Sequence, residues 1–491
     1  MNRDDRRLSL AVFGLVLFST AYFHSGGGWN ENSRFDLVRA LVDDHALTID
    51  PYAGNTGDKA LFRGHYYSDK APGLSFLAAP VYALVKVFHG AFHTDHDFYV
   101  FALYVVNALT VSVAGALAAA LVFRAARKLG ATPFGAVVGA LAYGLGSPAF
   151  PLSTMFFGHV LAALVLMLAY TLAAFPPETL TPARRTALLA LLAASALVVE
   201  YPTFPAAVGL ALYHVVPHRS RRTLLALAAG AVPVLALGGY LVSAFGSPVR
   251  TGYDLLSSPG ANAEMHSHGL FGITYPKLGV IASLLIGHTR GLLPYSPVLI
   301  LGAVGFLEPV LGSTSDEAAR ERRGPLLLAL GVVLYVVLFV ASYEWWQGGA
   351  SFGSRHIASM LPFLALPVAF VADRRPRLAV ALLAVSAFAM LVVTSVHPKP
   401  SENLTSPFWS FLLPSFFRGE LALTKACPVF GSPRAAGHHP FLAVAPYDAF
   451  NLGMVLGGRG LKSLLPLVSV WGTAAWAFRR ALRVEKTAER S

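Results

Sequence analysis

Long apolar runs recur along the whole chain, and short basic clusters separate them. Runs such as 8–23, 73–88 and 99–123 approach or exceed the ~20 apolar residues that a helix needs to cross a bilayer. This pattern predicts an all-α polytopic membrane protein. We expect about twelve transmembrane helices, with further interface helices in a large first outer loop.

Lysine and arginine collect in compact groups between the apolar runs. Positive residues favour cytoplasmic loops, so we expect every group, and both termini, on the cytoplasmic side. The net charge of +12 then reports topology and gives no support to a nucleic-acid partner. The groups are Arg3/Arg6/Arg7, Arg124/Arg127/Lys128, Arg184/Arg185, Arg219/Arg221/Arg222, Arg320/Arg322/Arg323, Arg374/Arg375/Arg377 and a tail from Arg479 to Arg490.

The first interval between two basic groups holds three apolar runs, although it must contain an even number of crossings. The run 73–88 is the weakest of the three, because Lys86 interrupts it and Pro72 precedes it. We therefore expect 73–88 to form a helix that lies at the outer interface. With this assignment every interval between two basic groups contains an even number of crossings, and the total is about twelve spans.

Composition excludes most soluble classes of protein. Of the 491 residues, 55% are hydrophobic and 13% are charged, whereas an ordinary soluble domain has about 25% charged residues. The single cysteine, Cys427, excludes a disulfide framework and a multi-cysteine metal site. Histidine pairs at 93/96 and 266/268 lack a fixed third ligand, so neither a metal nor another cofactor is expected.

We treat residues 1–491 as a single integral membrane domain. Its cytoplasmic connections are short and basic, and its longer loops are predicted to lie outside. Carboxylates that fall within or beside spans, such as Glu200 and Glu308, need a partner there. Polar chemistry is therefore expected mainly on the outer face. The outer loops are 24–98, 246–291, 343–356 and 397–451.

The beginning of the first outer loop predicts a short amphipathic helix. Ser33 and Asp36 have the spacing of a capping box, which would start the helix at Ser33. Asp36, Arg39 and Asp43 recur on the face opposite the apolar stripe, as expected for a solvated face with local ion pairs. Glu31 would then precede the helix and be free to face a cavity.

The same loop continues to the corner Tyr66-Tyr67-Ser68-Asp69-Lys70-Ala71-Pro72-Gly73. Pro72 keeps Ala71 out of helical geometry, so Asp69 and Lys70 are expected on an extended corner beside the interface helix. A lysine at this depth either extends to the lipid headgroups or binds the phosphate of a lipid-linked substrate.

This loop resembles that of the GT-C glycosyltransferases. The resemblance rests on Glu31, the helix at 33–42 and the Asp-Lys-x-Pro corner at Lys70, and it covers about residues 8–130. Bacterial aminoarabinose-lipid A transferases and protein O-mannosyltransferases are the most similar members. The resemblance implies a polyprenyl-phosphate-linked sugar donor, Lys70 as a ligand of the lipid phosphate, and Glu31 as the catalytic carboxylate.

One position departs from the family pattern. Members typically carry two acids before the helix, and here Asn32 replaces the second acid. The identity of the base therefore stays open. Asp36 and Asp50 are the alternatives to Glu31.

Two later loops carry further candidates. Arg290 lies at the mouth of a span, and the loop 343–356 combines glycines with two tryptophans and Arg355. An arginine fork suits a phosphate and tryptophan suits a sugar face, but an aromatic interface belt with extended arginines has the same composition. The substrate-binding candidates of the whole chain are Arg34, Asp50, Tyr67, Asp69, Trp345, Trp346 and His356.

These features predict an inverting glycosyltransferase of the bacterial cytoplasmic (inner) membrane that acts on its outer face. Glu31, or else Asp36, would take the proton from a hydroxyl of a lipid, glycan or protein acceptor. Lys70, with Arg290 or Arg355, would hold the leaving polyprenyl phosphate. Two alternatives stay open: a transporter or flippase for a lipid-linked glycan, and a non-catalytic partner of an envelope glycan assembly system.

Overall fold

The computed structural model describes residues 3–257, 268–270, 272–311, 317–401, 404–424 and 448–488. Within these ranges the chain is mostly α-helical, which confirms the predicted fold class. The α-helices are Arg3–Ala21, Trp29–Arg39, Gly73–Val85, Asp95–Asn107, Val113–Lys128, Pro133–Gly144, Ala149–Leu152, Gly158–Ala174, Pro182–Val199, Phe204–Val215, Arg221–Ala226, Ala231–Phe245, Leu278–Ile286, Val298–Gly305, Leu307–Leu311, Glu317–Ser342, Leu361–Ala365, Val368–Arg374, Pro376–Val396, Leu413–Phe417, Leu452–Val455 and Leu465–Ala488.

Short 3₁₀ and π segments join or interrupt these helices. The π segment Ala108–Ser112, for example, lies inside a continuous helical stretch from Asp95 to Lys128. The other π segments are Ala40–Asp44 and Phe408–Leu412. The 3₁₀ segments are Asp50–Asn55, Lys86–Ala91, Tyr201–Thr203, Leu227–Gly230, Gly252–Leu255, Arg355–Met360 and Gly460–Leu464.

Within the described ranges, seven helices are long and apolar enough to cross a membrane by length and composition. An eighth results if the bent pair Arg355–Ala365 and Val368–Arg374, with 45° between its halves, is one span. The protein is thus a polytopic membrane protein, but the predicted count of about twelve spans is not confirmed. The seven are Gly73–Ala91, Asp95–Lys128, Pro182–Val199, Arg221–Phe245, Ala319–Ser342, Pro376–Val396 and Gly460–Leu482.

The segment predicted to lie at the interface is among these seven. Its α-helical part, Gly73–Val85, has 13 residues. At ~1.5 Å per residue this part is about 20 Å long, shorter than the ~30 Å hydrocarbon core. The 3₁₀ segment Lys86–Ala91 extends it. Its orientation relative to the bilayer therefore stays a prediction.

A β-hairpin shapes the first long loop (24–98). Strand β2 (Lys59–Phe62) pairs antiparallel with strand β3 (His65–Ser68), and Lys59 lies opposite Ser68. Arg63 and Gly64, with φ of 51° and 84°, form the turn, as expected for a two-residue connection that needs positive φ at both positions. The register places Asp58, just before β2, beside Asp69, just after β3.

A second strand pair joins an early segment of the chain to a late one. Strand β1 (Phe23–His24) pairs antiparallel with strand β4 (Phe450–Asn451). Nearby, the His96 imidazole lies 2.9 Å from the Asp448 carboxylate. The first long loop is thus held to the end of the last one (397–451).

The predicted capping box is wrong. The helix begins at Trp29 with Gly28 as its N-cap, four residues before Ser33, so Ser33 lies inside it. The Ser33 hydroxyl is hydrogen-bonded instead to Asp69 at 3.2 Å and to the Ser68 hydroxyl at 2.9 Å. A local sequence pattern was outweighed here by the hairpin that packs on the helix.

The polar face of this helix was predicted to be solvated and is buried, although the predicted local ion pair is present between Arg39 and Asp36 at 3.7 Å. Asp36 and Arg39 are both buried. The Asn55 amide donates to Asp36 at 3.1 Å, and the Arg39 guanidinium lies 3.7 and 4.1 Å from the ring centres of Tyr52 and Tyr99. The 3₁₀ segment Asp50–Asn55 supplies two of these partners, so it covers a face that the sequence alone suggested was open.

Candidate functional site

Lys70 lies in a buried ion cluster with Asp58 and Asp69. Its Nζ is 2.8 Å from Asp58 Oδ2 and 2.9 Å from Asp69 Oδ2. The side chains of Lys70 and Asp69 are 7% and 3% exposed, whereas Asp58 is 15% exposed. Asp58 was not predicted as a site residue. The cluster carries one positive and two negative formal charges.

The carboxylates set the protonation of this cluster. Burial alone would lower the pKa of Lys70, but Asp58 and Asp69 outweigh it and raise that pKa above its usual value. Burial would raise the pKa of Asp58, but the Lys70 ammonium lowers it below the usual range. Lys70 is therefore a fixed cation, and Asp58 is its ionised partner.

Residues beyond the first long loop also contact the cluster. A Cβ atom at Gly252 would collide with the backbone of Asp69, so this close approach requires glycine. The next residue, Tyr253, places its ring centre 5.5 Å from Lys70 Nζ. The loop 246–291 therefore contributes to the site.

Arg34 fixes the corner that carries Lys70. Its Nη1 donates to the Ala71 carbonyl at 3.0 Å, and its Nη2 donates to Glu200 Oε1 at 2.5 Å. Nε donates to Asn30 at 3.1 Å. Arg34 is thus buried in an ion pair that joins the corner to the end of helix Pro182–Val199. The partner that Glu200 was expected to need is therefore Arg34.

Glu31 is buried in a different ion pair. Its Oε1 lies 2.7 Å from Lys399 Nζ, and the two side chains are 2% and 4% exposed. Lys399 also donates to the carbonyls of Gly27 at 2.9 Å and Gly26 at 3.3 Å. Glu31 therefore lies in the first turn of the helix, not ahead of it as predicted. Lys399 was missed in the sequence, where only its position between two prolines distinguishes it.

Asp50 and Tyr67 support the hairpin. Asp50 accepts from the Tyr66 backbone N–H at 2.6 Å and lies 2.7 Å from His65 Nδ1. Tyr67 is buried with its ring centre 5.3 Å from that of Phe245. Their contacts join the hairpin to the 3₁₀ segment Asp50–Asn55 and to helix Ala231–Phe245.

Arg290 organises the loop 343–356, which we call the glycine loop. Its Nη1 lies within 2.5–3.3 Å of four carbonyl oxygens, those of Gln347, Gly349, Ser351 and Gly353. Gly348, Gly349 and Gly353 have φ between 68° and 75°, so the loop requires glycine at these turns. Arg290 is buried and holds the loop that carries Arg355.

Arg355 and His356 lie side by side at the end of the glycine loop. The Arg355 guanidinium is 5.1 Å from the Phe157 ring centre, and its buried Nε has no hydrogen-bond partner among the described residues. The His356 ring is edge-on to His159 and to Tyr343, each with centres 5.4 Å apart. Arg355 acts electrostatically on both Asp58 and Lys70, so it belongs to the same site.

The two tryptophans of the glycine loop are half-buried. The Trp346 carbonyl accepts from the Ser354 hydroxyl at 2.6 Å, which closes the loop. Trp346 also packs against the main hydrophobic core. Trp345 lies beside Gly349, with its indole nitrogen 3.7 Å from where a Cβ of that glycine would be.

A small cavity of about 20 Å³, room for about one water molecule, adjoins His356. Its lining includes His159 and Glu200, whose Nδ1 and Oε1 are 3.7 Å apart. The cavity is therefore linked to the ion cluster through the contacts of Glu200 with Arg34 and of Arg34 with Ala71.

The comparisons with known proteins include a distant likeness. No protein-family model and no curated protein matches the chain. Among solved structures, it resembles the archaeal oligosaccharyltransferase AglB from Archaeoglobus fulgidus, determined in complex with an inhibitory peptide and a dolichol-phosphate. The TM-score is 0.42 at 12% identity, over 89% of this chain and 62% of that one. This likeness assigns no family.

The remaining polar candidates have local partners. Glu308 is paired with Arg322 at 2.9 Å and with Arg374 at 2.5 Å. In the part of the chain that the structure describes, no group of three or more His, Cys, Asp or Glu side chains is arranged to hold a metal ion. His266, of the predicted histidine pairs, lies outside the described residues.

Proposed function

We propose that this chain is a glycosyltransferase of the bacterial cytoplasmic membrane. It would move a sugar from a polyprenyl-phosphate donor to an acceptor hydroxyl at the outer face. The observation that carries the proposal is the pairing of a buried, fixed cation, Lys70, with a second cation, Arg355, in one site. Lipid, glycan and protein acceptors all fit this reaction class.

Lys70 and Arg355 would hold the donor phosphate. An ammonium group has three N–H donors. Within the described residues, Lys70 directs them to Asp58 and Asp69, which leaves one for a ligand oxygen. The guanidinium of Arg355 adds a planar fork that suits phosphate. Both cations would stabilise the charge that develops on the leaving phosphate. Arg290 acts in this scheme as a positioning residue.

Asp58 is the carboxylate that we assign as the base. It is the more exposed acid of the cluster and it is held ionised by Lys70. When a donor phosphate engages Lys70, the attraction of Lys70 for the Asp58 carboxylate falls, and Asp58 becomes a stronger base. Glu31, which lies 2.7 Å from Lys399, is the alternative.

The other two acids suit this role less well. Burial raises the pKa of Asp36 well above its usual value, which disfavours the ionised form that a base needs. Both oxygens of Asp50 are engaged by the hairpin. Asp36 and Asp50 therefore support the loop in this scheme.

The chemical step is a single displacement. The acceptor oxygen forms a bond to the anomeric carbon while the bond from that carbon to the phosphate oxygen breaks. The acceptor proton passes to the carboxylate of Asp58, and the bonding electrons remain on the phosphate beside Lys70 and Arg355. Attack opposite the leaving group inverts the anomeric centre.

A flippase for the same lipid-linked glycan is the second candidate. The observation that favours it is the bent pair Arg355–Ala365 and Val368–Arg374, because transporters place binding groups at broken helices. Such a protein would use Lys70 and Arg355 without breaking a bond.

A transfer assay distinguishes the two functions. Purified protein would be incubated with radiolabelled polyprenyl-phosphate sugars and a membrane lipid extract. We expect labelled product with the wild type and loss of product with Lys70→Ala. Movement of the labelled lipid across proteoliposomes without any product would instead favour the flippase.

Labelling tests the proposed orientation. Arg63, in the exposed hairpin turn, and the exposed Asp95 are the positions to replace by cysteine, in a Cys427→Ser background. Both should react with an impermeant maleimide in intact spheroplasts. If position 95 is protected while position 63 reacts, the segment Gly73–Ala91 crosses the membrane and the outer-interface assignment fails.

A further inference from the structure

A groove of about 490 Å³ lies between two apolar helical segments, Val298–Leu311 and Val368–Arg374. Its volume falls in the range of small-molecule sites, about 300–1,000 Å³. The second segment is the later half of the bent pair, and the groove adjoins the end of it. Arg355 begins the bent pair and Arg374 ends it. The groove is therefore separate from the site around Lys70.

Most of the groove is lined by apolar side chains. Val304, Leu307 and Leu311 follow one another at intervals of three and four residues, which places them on one helix face. All three are exposed. Phe370 and Val371 line the groove from the other segment. Because lipid tails are as apolar as leucine, this lining suits an acyl chain.

Two arginines, Arg374 and Arg375, line the same groove. Glu308 is the only acid in that lining among the described residues, and both of its oxygens are engaged. Its Oε1 lies 2.9 Å from Arg322 Nη2, and its Oε2 lies 2.5 Å from Arg374 Nη2. Glu308 is thus fully occupied by the two arginines and has no oxygen left for a cationic ligand.

Arg375 supplies an unmatched positive charge. Its side chain is exposed, and its guanidinium has no hydrogen-bond or ion-pair partner in the part of the chain that the structure describes. The nearby Asp373 carboxylate does not provide one, because it accepts from the Thr132 backbone N–H at 2.9 Å. Even with Asp373 counted beside Glu308, three arginines stand against two carboxylates. The mouth of the groove therefore favours an anion.

We propose that this groove binds an anionic phospholipid. One acyl chain would lie in the apolar part, and the phosphate would accept from Arg375 and from the N–H groups of Arg374 that Glu308 leaves free. A guanidinium fork matches the geometry of phosphate. Basic pockets between transmembrane helices are also recurrent sites for anionic lipid head groups. This inference does not rest on the proposed glycosyl transfer.

Lipid binding to the full-length, delipidated protein in neutral detergent tests the inference. The probes are dioleoyl-phosphatidylglycerol and dioleoyl-phosphatidylcholine, which share their acyl chains and differ in head group. We expect the anionic lipid to bind about 10-fold or more tightly, because charge-assisted hydrogen bonds to the arginines are stronger when no ammonium group offsets the phosphate. Equal affinities for the two lipids would overturn the inference.

Arginine variants locate the head group. Arg375→Ala should remove most of the preference for phosphatidylglycerol and leave the affinity for phosphatidylcholine unchanged, so the second lipid also reports folding. Arg377→Ala is the matched control: Arg377 is exposed and belongs to the same basic group, but it does not line the groove. Equal loss of preference in both variants would show a diffuse charge effect and contradict a site at Arg375.

A bulkier side chain in the groove tests where the acyl chain lies. Val304→Trp should weaken the binding of both lipids several-fold. Val385→Trp, at an exposed valine that does not line the groove, should leave both affinities unchanged. Thermal unfolding of the lipid-free variants checks that each is folded. If a folded Val304→Trp variant binds both lipids as the wild type does, the groove is not the binding site.

Discussion

Two buried lysines anchor the first long loop, and they differ in how fully their charge is matched. Lys399 has one carboxylate, Glu31, and two backbone carbonyls. These three acceptors equal the three donors of an ammonium group, and the pair is neutral. Lys70 has two carboxylates and a ring, so the acidic groups of its cluster outnumber its one ammonium group.

This difference distinguishes a structural ion pair from a site that can exchange partners. A ligand at Lys399 would have to displace a complete set of contacts. A phosphate at Lys70 would take the third N–H donor and weaken the attraction of Lys70 for Asp58, the more exposed of the two carboxylates. Two lysines of similar burial are thus expected to respond to substitution in opposite ways, one in stability and the other in activity.

The largest effect is expected from Lys399→Met. This change leaves Glu31 buried without its cation, and breaking a buried pair in this way typically costs 3–5 kcal/mol. The unfolding free energy in detergent micelles should fall by about that amount.

The double variant Glu31→Gln/Lys399→Met is the control for this prediction. Because it removes both charges, it should recover much of the lost stability. If the double variant is as unstable as Lys399→Met, the cost comes from packing and the pair is not the cause.

The next largest effect is expected from Asp58→Asn, which tests the assignment of Asp58 as the base. Asp58→Asn should bind donor and lose about 10²–10⁴-fold in turnover, the usual cost of removing a general base. Glu31→Gln should retain turnover in the molecules that fold. The reverse pattern, in single-turnover rates normalised to bound donor, would move the base to Glu31.

Lys70→Ala should weaken donor binding and slow transfer by roughly 10²-fold, because a charge beside the leaving phosphate is lost. Lys70→Arg should restore only part of this, since a guanidinium fork has a different shape from an ammonium. Lys86→Ala is the matched control: Lys86 also pairs with a carboxylate, Asp43 at 2.7 Å, but its side chain is 43% exposed. Equal losses in both alanine variants would point to a general charge effect.

The smallest effect is expected at Asp36. Burial raises the pKa of this carboxyl, so its contribution to stability is present below the unfolded pKa and is lost as pH rises through the folded pKa. Asp36→Asn should therefore match the wild type near pH 4 and be more stable near pH 8, by about 1 kcal/mol or less. Thermal unfolding at the two pH values measures this. Lower stability at pH 8 would show that the ionised pair with Arg39 stabilises the fold.

Sequence patterns predicted the helical membrane architecture and placed Asp69 and Lys70 together because these features are local. The place of Asp58 in the cluster could also have been predicted from the sequence. The alternating segments around Arg63-Gly64 favour a two-residue hairpin, and the register of that hairpin puts Asp58 beside Asp69. The contact of Lys399 with Glu31 could not have been predicted from the sequence, since it spans 368 positions. No local rule links residues so far apart.

The helix of the first long loop shows the opposite failure, a local rule that tertiary contacts overrode. The Ser33 and Asp36 spacing is a sound capping signal in an isolated segment. Here Gly28, in an extended conformation, allows the helix to start earlier, and Ser33 and Asp36 then bond to the hairpin and to Asn55. Side chains that cap a helix in isolation are the same ones that bond well to a neighbour.

The contact between Glu31 and Lys399 also has a consequence for biogenesis. Residue 399 leaves the ribosome 368 positions after residue 31, which at ~5–20 residues per second is a delay of roughly 20–70 s. Throughout that interval Glu31 lacks its cation, and strand β1 lacks β4. The contacts of the first long loop are therefore completed only after residue 399 has been made, although the loop itself is synthesised early. Premature termination before residue 399 would leave this loop without Lys399 and β4.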